Sequence, residues 1–117
     1  MDEIFIKDLL IRGVIGISEH EREQPQDILV NITVFTDSTK AAHSDDVNDS
    51  VNYRTIAKKT LAYVETAKRY TVEALAADIM ALVLLENNVE GARVKVEKPG
   101  AVRFSRSVGI EIVRMKE

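Results

Sequence analysis

The apolar positions change period several times along the chain, and each change marks an element. Ile4, Ile6, Leu9 and Ile11 nearly alternate with the charged Lys7, Asp8 and Arg12. That period of two predicts a long strand over Ile4 to Ile17, with a kink near Asp8. Gly13 and Gly16 mark a bend at its end. Ser18 to Gln26 is polar and contains Pro25, so it reads as a loop. Ile28, Val30, Ile32 and Val34 alternate cleanly in a run rich in β-branched residues, which predicts a second strand ending at Phe35.

The period then lengthens. Lys40 to Asn52 is polar and reads as a connection followed by a helix start. Ile56, Ala57, Thr60, Leu61 and Val64 recur at helical spacing, so a helix runs from Tyr53 to about Lys68. Thr71 suits the N-cap of the next helix, because its hydroxyl can accept a first-turn amide. Val72, Leu75, Ala76, Ile79, Met80 and Val83 form that helix's apolar stripe, and Asn87-Asn88 ends it. Alternation returns over Arg93 to Lys98, stops at Pro99-Gly100, and resumes over Ser107 to Arg114.

Four strands and two consecutive helices predict an α+β domain over residues 1–117. The sheet is expected to be mostly antiparallel, with both helices on one face. Such an open sheet leaves two edges and one uncovered face. Pairing with copies of itself into a closed ring would remove those edges, so a homo-oligomer is expected.

Composition narrows the function classes. The 117 residues are 45% hydrophobic and 30% charged, as in globular proteins. The net charge of -3 gives no reason to expect nucleic acid or an anionic membrane as a partner. There is no cysteine, so disulfides and thiolate chemistry are excluded. His20 and His43 lie far apart without metal-ligand spacing, so no metal is expected. No apolar stretch approaches the ~20 residues of a membrane span. The acidic start, Met1-Asp2-Glu3, does not resemble a secretory signal. A cytoplasmic location is expected.

No nucleophile elbow or phosphate-binding glycine loop is present. Chemistry therefore falls to carboxylates, lysines, tyrosines, hydroxyls and water. Glu73 sits in a first helical turn, where the helix dipole favours an anion. Its carboxylate could also take two parallel hydrogen bonds from an amidine-like group. Lys98 ends a strand beside a rigid turn, either as a solvated edge residue or as an ammonium facing a ligand. Tyr53 is either a half-buried aromatic or a proton-handling phenol. Glu21 lies in a polar segment and reads on its own as solvated.

Taken together, these residues resemble the dihydroneopterin aldolase family. The matching stretches are IFIKDLLIRGVIGISEHE, QDILVNITV, SDDVNDSVNYRTIA, YTVEALAADI and VKVEKPGAV with SVGIEIVR, in that order. The resemblance implies a tunnelling fold, in which subunits form barrel-like rings as tetramers or octamers. It also implies active sites at subunit seams. By position, Glu73 matches the glutamate that anchors the pterin's 2-amino and N3 groups, and Val51 and Val72 match backbone or packing contacts to the ring. Lys98 matches the lysine near the ring, and Tyr53 the tyrosine supplied across the seam. Glu21 matches the loop glutamate near the cleaved side chain, and Gln26 a glutamine close to that loop. Thr71 and Val72 depart from the usual leucine-rich helix start, a change expected to alter packing more than chemistry.

The implied reaction is a retro-aldol cleavage of 7,8-dihydroneopterin, without cofactor or metal. Removing the 2'-hydroxyl proton lets the C1'–C2' bond break, with the ring imine N5=C6 as electron sink. The products are 6-hydroxymethyl-7,8-dihydropterin and glycolaldehyde, and a 2'-epimerase side activity is expected. GISEHE, QDILVNIT and NDSVNYRT are also similar to dihydroneopterin triphosphate 2'-epimerases, whereas Lys98-Pro99-Gly100-Ala101 looks more like the aldolases. A non-catalytic pterin-binding or assembly module is the alternative from another class.

Overall fold

The computed structural model describes residues 1–117. Its elements are β1 (Asp2–Gly13), α1 (Glu19–Glu23), β2 (Gln26–Thr36), α2 (Thr39–Ser44), a 3₁₀ turn (Val47–Asp49), α3 (Tyr53–Ala67), α4 (Val72–Leu84), β3 (Gly91–Pro99) and β4 (Ser107–Met115). The strands form one antiparallel sheet in the order β1-β2-β3-β4. No helix is long and apolar enough to cross a membrane.

The expected kink in β1 is a bulge between Ile6 and Leu9, with Asp8 at φ 56°. The apolar positions 4, 6, 9 and 11 switch parity there, and one extra residue keeps all four on the core face. Asn31 on β2 braces the bulge: its Oδ1 accepts from the Asp8 amide at 2.8 Å, and its Nδ2 donates to the Asp8 carboxylate.

Ile28, Val30, Ile32 and Val34 of β2 and Ala92, Val94 and Val96 of β3 are fully buried. Ile56 and Val64 of α3 and Leu75, Ala76, Ile79, Met80 and Val83 of α4 cover them. α3 lies over β1, while α4 lies over β3 and β4. The opposite face is open and mixes charged with apolar side chains, among them Phe5, 66% exposed, and Phe35, whose ring lies under the Arg93 guanidinium. Arg93 reaches Glu3 at 3.6 Å and Glu111 at 3.3 Å there, and Lys95 reaches Glu97 at 3.5 Å.

Two polar segments hold more structure than their composition suggests. Ser18 to Gln26 is not a plain loop, because it contains α1. Ser18 and Glu21 form a reciprocal capping box, in which the Glu21 amide donates to the Ser18 hydroxyl and the Ser18 amide to the Glu21 carboxylate. The connection before α3 contains α2 and the 3₁₀ turn, ended or started by Asp45 at φ 54° and by the Asp46 side chain.

Candidate functional site

Two ends of the molecule gather the expected residues. At the mouth of α4, a cavity of about 330 Å³ is lined by Gly16, Glu21, Tyr70, Val72, Glu73 and Lys98, with Ile17, Thr71, Val108 and Gly109 completing its wall. Thr71 caps α4, as its pattern predicts, by accepting from the Ala74 amide at 3.1 Å. The cap sets the first turn so that Val72 is half-buried and Glu73 stands exposed on the cavity wall. The Glu73 carboxylate has no hydrogen bond or ion pair within the chain, so both oxygens remain available.

Lys98 comes from the end of β3, and its Nζ donates to Glu21 Oε2 at 2.7 Å. Both side chains are mostly shielded, at 16% and 25% exposure, which makes this the least exposed ion pair in the chain. The lysine hydrogen bond, helped by the Ser18 amide and the Gln26 side chain, outweighs burial and lowers the Glu21 carboxyl from 4.5 to about 2. Glu21 is therefore an anion at neutral pH, an acceptor rather than an acid. Gly16, at φ 121°, makes room for it, since a Cβ there would collide with the Glu21 carboxylate.

Gln26 stands behind this pair. Its Nε2 donates to the Ile15 carbonyl at 2.8 Å and to Glu21 Oε2 at 3.4 Å. It lines an adjoining cavity of about 490 Å³, which shares Glu21, Lys98 and Val108 with the first.

Tyr53 and Val51 do not join that group within one chain. They line a cavity of about 560 Å³ at the start of α3, beside Leu85–Asn88 just past the end of α4. Glu73 begins α4, and a helix of 13 residues is roughly 20 Å long, so the two cavities lie at opposite ends of it. Tyr53 is 58% exposed, whereas Val51 is buried in the core at 2% exposure.

The dihydroneopterin aldolase (FolB) family model matches residues 4–113, nearly the whole chain. The chain belongs to the dihydroneopterin aldolase family. It is similar to the folic acid synthesis protein FOL1 of Dictyostelium discoideum, at 40% identity over 97% of this chain but only 17% of that protein's length. It is also similar to the dihydroneopterin triphosphate 2'-epimerase of Pseudomonas aeruginosa, at 38% identity over 96% of this chain and 91% of that one. A crystal structure of Escherichia coli dihydroneopterin aldolase in complex with neopterin has a TM-score of 0.93 and 37% identity, covering 97% of this chain and 99% of that one. The four-stranded antiparallel sheet with its two long helices on one face is thus the fold of this family, the tunnelling fold.

Three cavity residues escape sequence reasoning. Tyr70 carries no periodic signal. Gly109 lies on β4 where a Cβ would strike the Val96 carbonyl, a contact set by strand pairing. Gly16 is legible as a bend, but its role as the seat of the Glu21 carboxylate is not.

Proposed function

We propose that this chain is a dihydroneopterin aldolase of folate biosynthesis, acting as one domain over residues 1–117. In this reading Glu73 takes the amidine edge of the pterin, N3–H beside the 2-amino group, in two charge-assisted hydrogen bonds. The backbone amides of the α4 mouth and the Val72 side chain border the ring. The observation that carries the reading is the meeting of Glu73, Lys98 and Glu21 in one cavity of about 330 Å³.

The ring edge fixed at Glu73 directs N5 and the C6 side chain toward Lys98 and Glu21. Loss of the 2'-hydroxyl proton turns that oxygen into the aldehyde carbonyl and breaks C1'–C2'. The electron pair enters C6=N5, and the Lys98 ammonium stabilises the charge and guides a proton at N5. Protonation at C1' and loss of the N5 proton complete the hydroxymethyl product. Glu21 holds Lys98 and positions the protons, with Gln26 holding Glu21. Preorganised charge of this kind supplies several kcal/mol of barrier reduction.

Tyr53 completes the site from a second copy of the chain. A protomer that presents its Tyr53 cavity to the α4 mouth of its neighbour supplies a second phenol, in addition to Tyr70 on the cavity wall. A tetramer ring or octamer is part of the same proposal, and a cytoplasmic location is proposed with it.

Incubation of the purified chain with 7,8-dihydroneopterin is expected to release glycolaldehyde. A second reading, dihydroneopterin triphosphate 2'-epimerase, is favoured by the 38% identity to an epimerase, beside 37% to an aldolase. Accumulation of the monapterin epimer without glycolaldehyde would select it. No turnover of 7,8-dihydroneopterin or its triphosphate would leave only a binding role.

A further inference from the structure

Arg22 takes no part in the reaction above, yet it joins the two segments that build the cavity. Its Nη1 donates to the carbonyls of Gly16 and Arg69, both at 3.1 Å, and its Nη2 donates to the Lys68 carbonyl at 2.7 Å. The guanidinium also lies over the Tyr70 ring, 4.0 Å from its centroid. Gly16 precedes α1, whereas Lys68, Arg69 and Tyr70 form the link between α3 and α4. The Gly16 amide donates to the Arg69 carbonyl at 3.3 Å and closes the same junction.

The physics of each segment explains why a brace is needed. α4 is anchored by five buried side chains, so Glu73 rides on the core. α1 has five residues and no buried one, and a helix that short does not hold its own position. Its capping box satisfies it internally without attaching it to the body of the protein. α3 ends at Ala67 with Lys68 as its left-handed C-cap, and Arg22 meets the Lys68 carbonyl at this end, where the helix dipole is negative.

We propose that Arg22 is a positioning residue, which docks α1 on the α3–α4 link and thereby holds Glu21 at Lys98 in the cavity it shares with Glu73. The proposal rests on the reading that Glu21 and Lys98 serve the chemistry while Glu73 anchors the ring. The planar fork matters as well as the charge. Three carbonyls and an aromatic face are met by one guanidinium, which a single ammonium cannot span.

The test uses the full chain with Arg22→Met and Arg22→Lys, and two readouts. Backbone hydrogen exchange needs no substrate. Arg22→Met is expected to speed exchange in residues 16–26 and in the link 68–71 while leaving the α4 amides at wild-type rates. Steady-state turnover of 7,8-dihydroneopterin is expected to show kcat lower by about 10- to 100-fold with KM little changed, because Glu73 stays in place while Glu21 drifts. Arg22→Lys is expected to share both effects, and it carries the test if Arg22→Met does not fold. Wild-type exchange in both segments, a KM effect alone, or full rescue by lysine would each overturn the proposal. If the wild type releases no glycolaldehyde, the reading of the reaction falls, and the exchange pattern still decides whether Arg22 docks α1.

Discussion

Glu21 keeps its charge far into the acid range because Lys98, 77 positions away, donates to it at 2.7 Å. A carboxyl lowered in the folded state contributes stability that is complete above its unfolded value of 4.5 and fades as pH falls toward about 2. Glu21→Gln is therefore expected to flatten the loss of thermal stability between pH 4.5 and 2 relative to wild type. Superimposable acid limbs for the two proteins would contradict the assignment. In the proposed reaction Glu73 serves binding and Lys98 serves chemistry. Glu73→Ala removes a charge-assisted pair of ~1.5–3 kcal/mol, so neopterin should bind roughly 10- to 150-fold more weakly by calorimetry. Lys98→Ala should leave that affinity nearly intact and lower kcat by about 10²- to 10³-fold. Comparable losses of affinity in both variants would end the division of roles. On sequence alone Glu21 reads as a solvated glutamate, since no local pattern connects it to a lysine at the far end of β3.

The long strands and helices follow from short-range pattern. The alternation of Ile28, Val30, Ile32 and Val34 becomes the central strand β2, and the parity switch at Asp8 becomes a bulge. Thr71 caps α4 and Asn52 caps α3, the latter by accepting from the Thr55 amide at 3.1 Å. The cap is testable at α4. Thr71→Ala should lower the unfolding free energy by about 1 kcal/mol, read from urea denaturation, and an unmoved midpoint would deny the cap its role. α1 was also legible, because Ser18-x-x-Glu21 is a capping-box signature, but Pro25 and the polar run suggested a loop. α2 had no comparable signal, since Ser38 makes no side-chain cap bond.

Across the molecule, the separation of Tyr53 from Glu73 is the feature with most consequence. The two mark opposite ends of α4, so one chain cannot bring them to the same substrate. The uncovered sheet face, lined by Arg93, Lys95, Glu97 and Glu111, is what a ring of protomers would turn inward. Complementation tests the shared site. Tyr53→Phe and Glu73→Ala are each expected to lose most activity, and hybrids of the two, formed by co-expression, should recover part of it. Recovery occurs because seams with both wild-type partners reappear in a mixed assembly. Hybrids no more active than the parents would rule out a site built by two chains.

The fold class, the core faces, the kink in β1 and the starts of α3 and α4 were determined by the sequence, because periods of two and 3.6 and capping residues act over a few positions; the family followed from the resemblance of five ordered stretches. The tertiary structure alone decided that Lys98 closes on Glu21, that Gly16 makes room for it and that Arg22 spans two segments. It placed Tyr53 and Glu73 in separate cavities of one chain, as the resemblance implied. Apart from Gly16 with its near neighbours Glu21 and Arg22, those relations join residues tens of positions apart, and strand register and helix packing set them rather than any local preference.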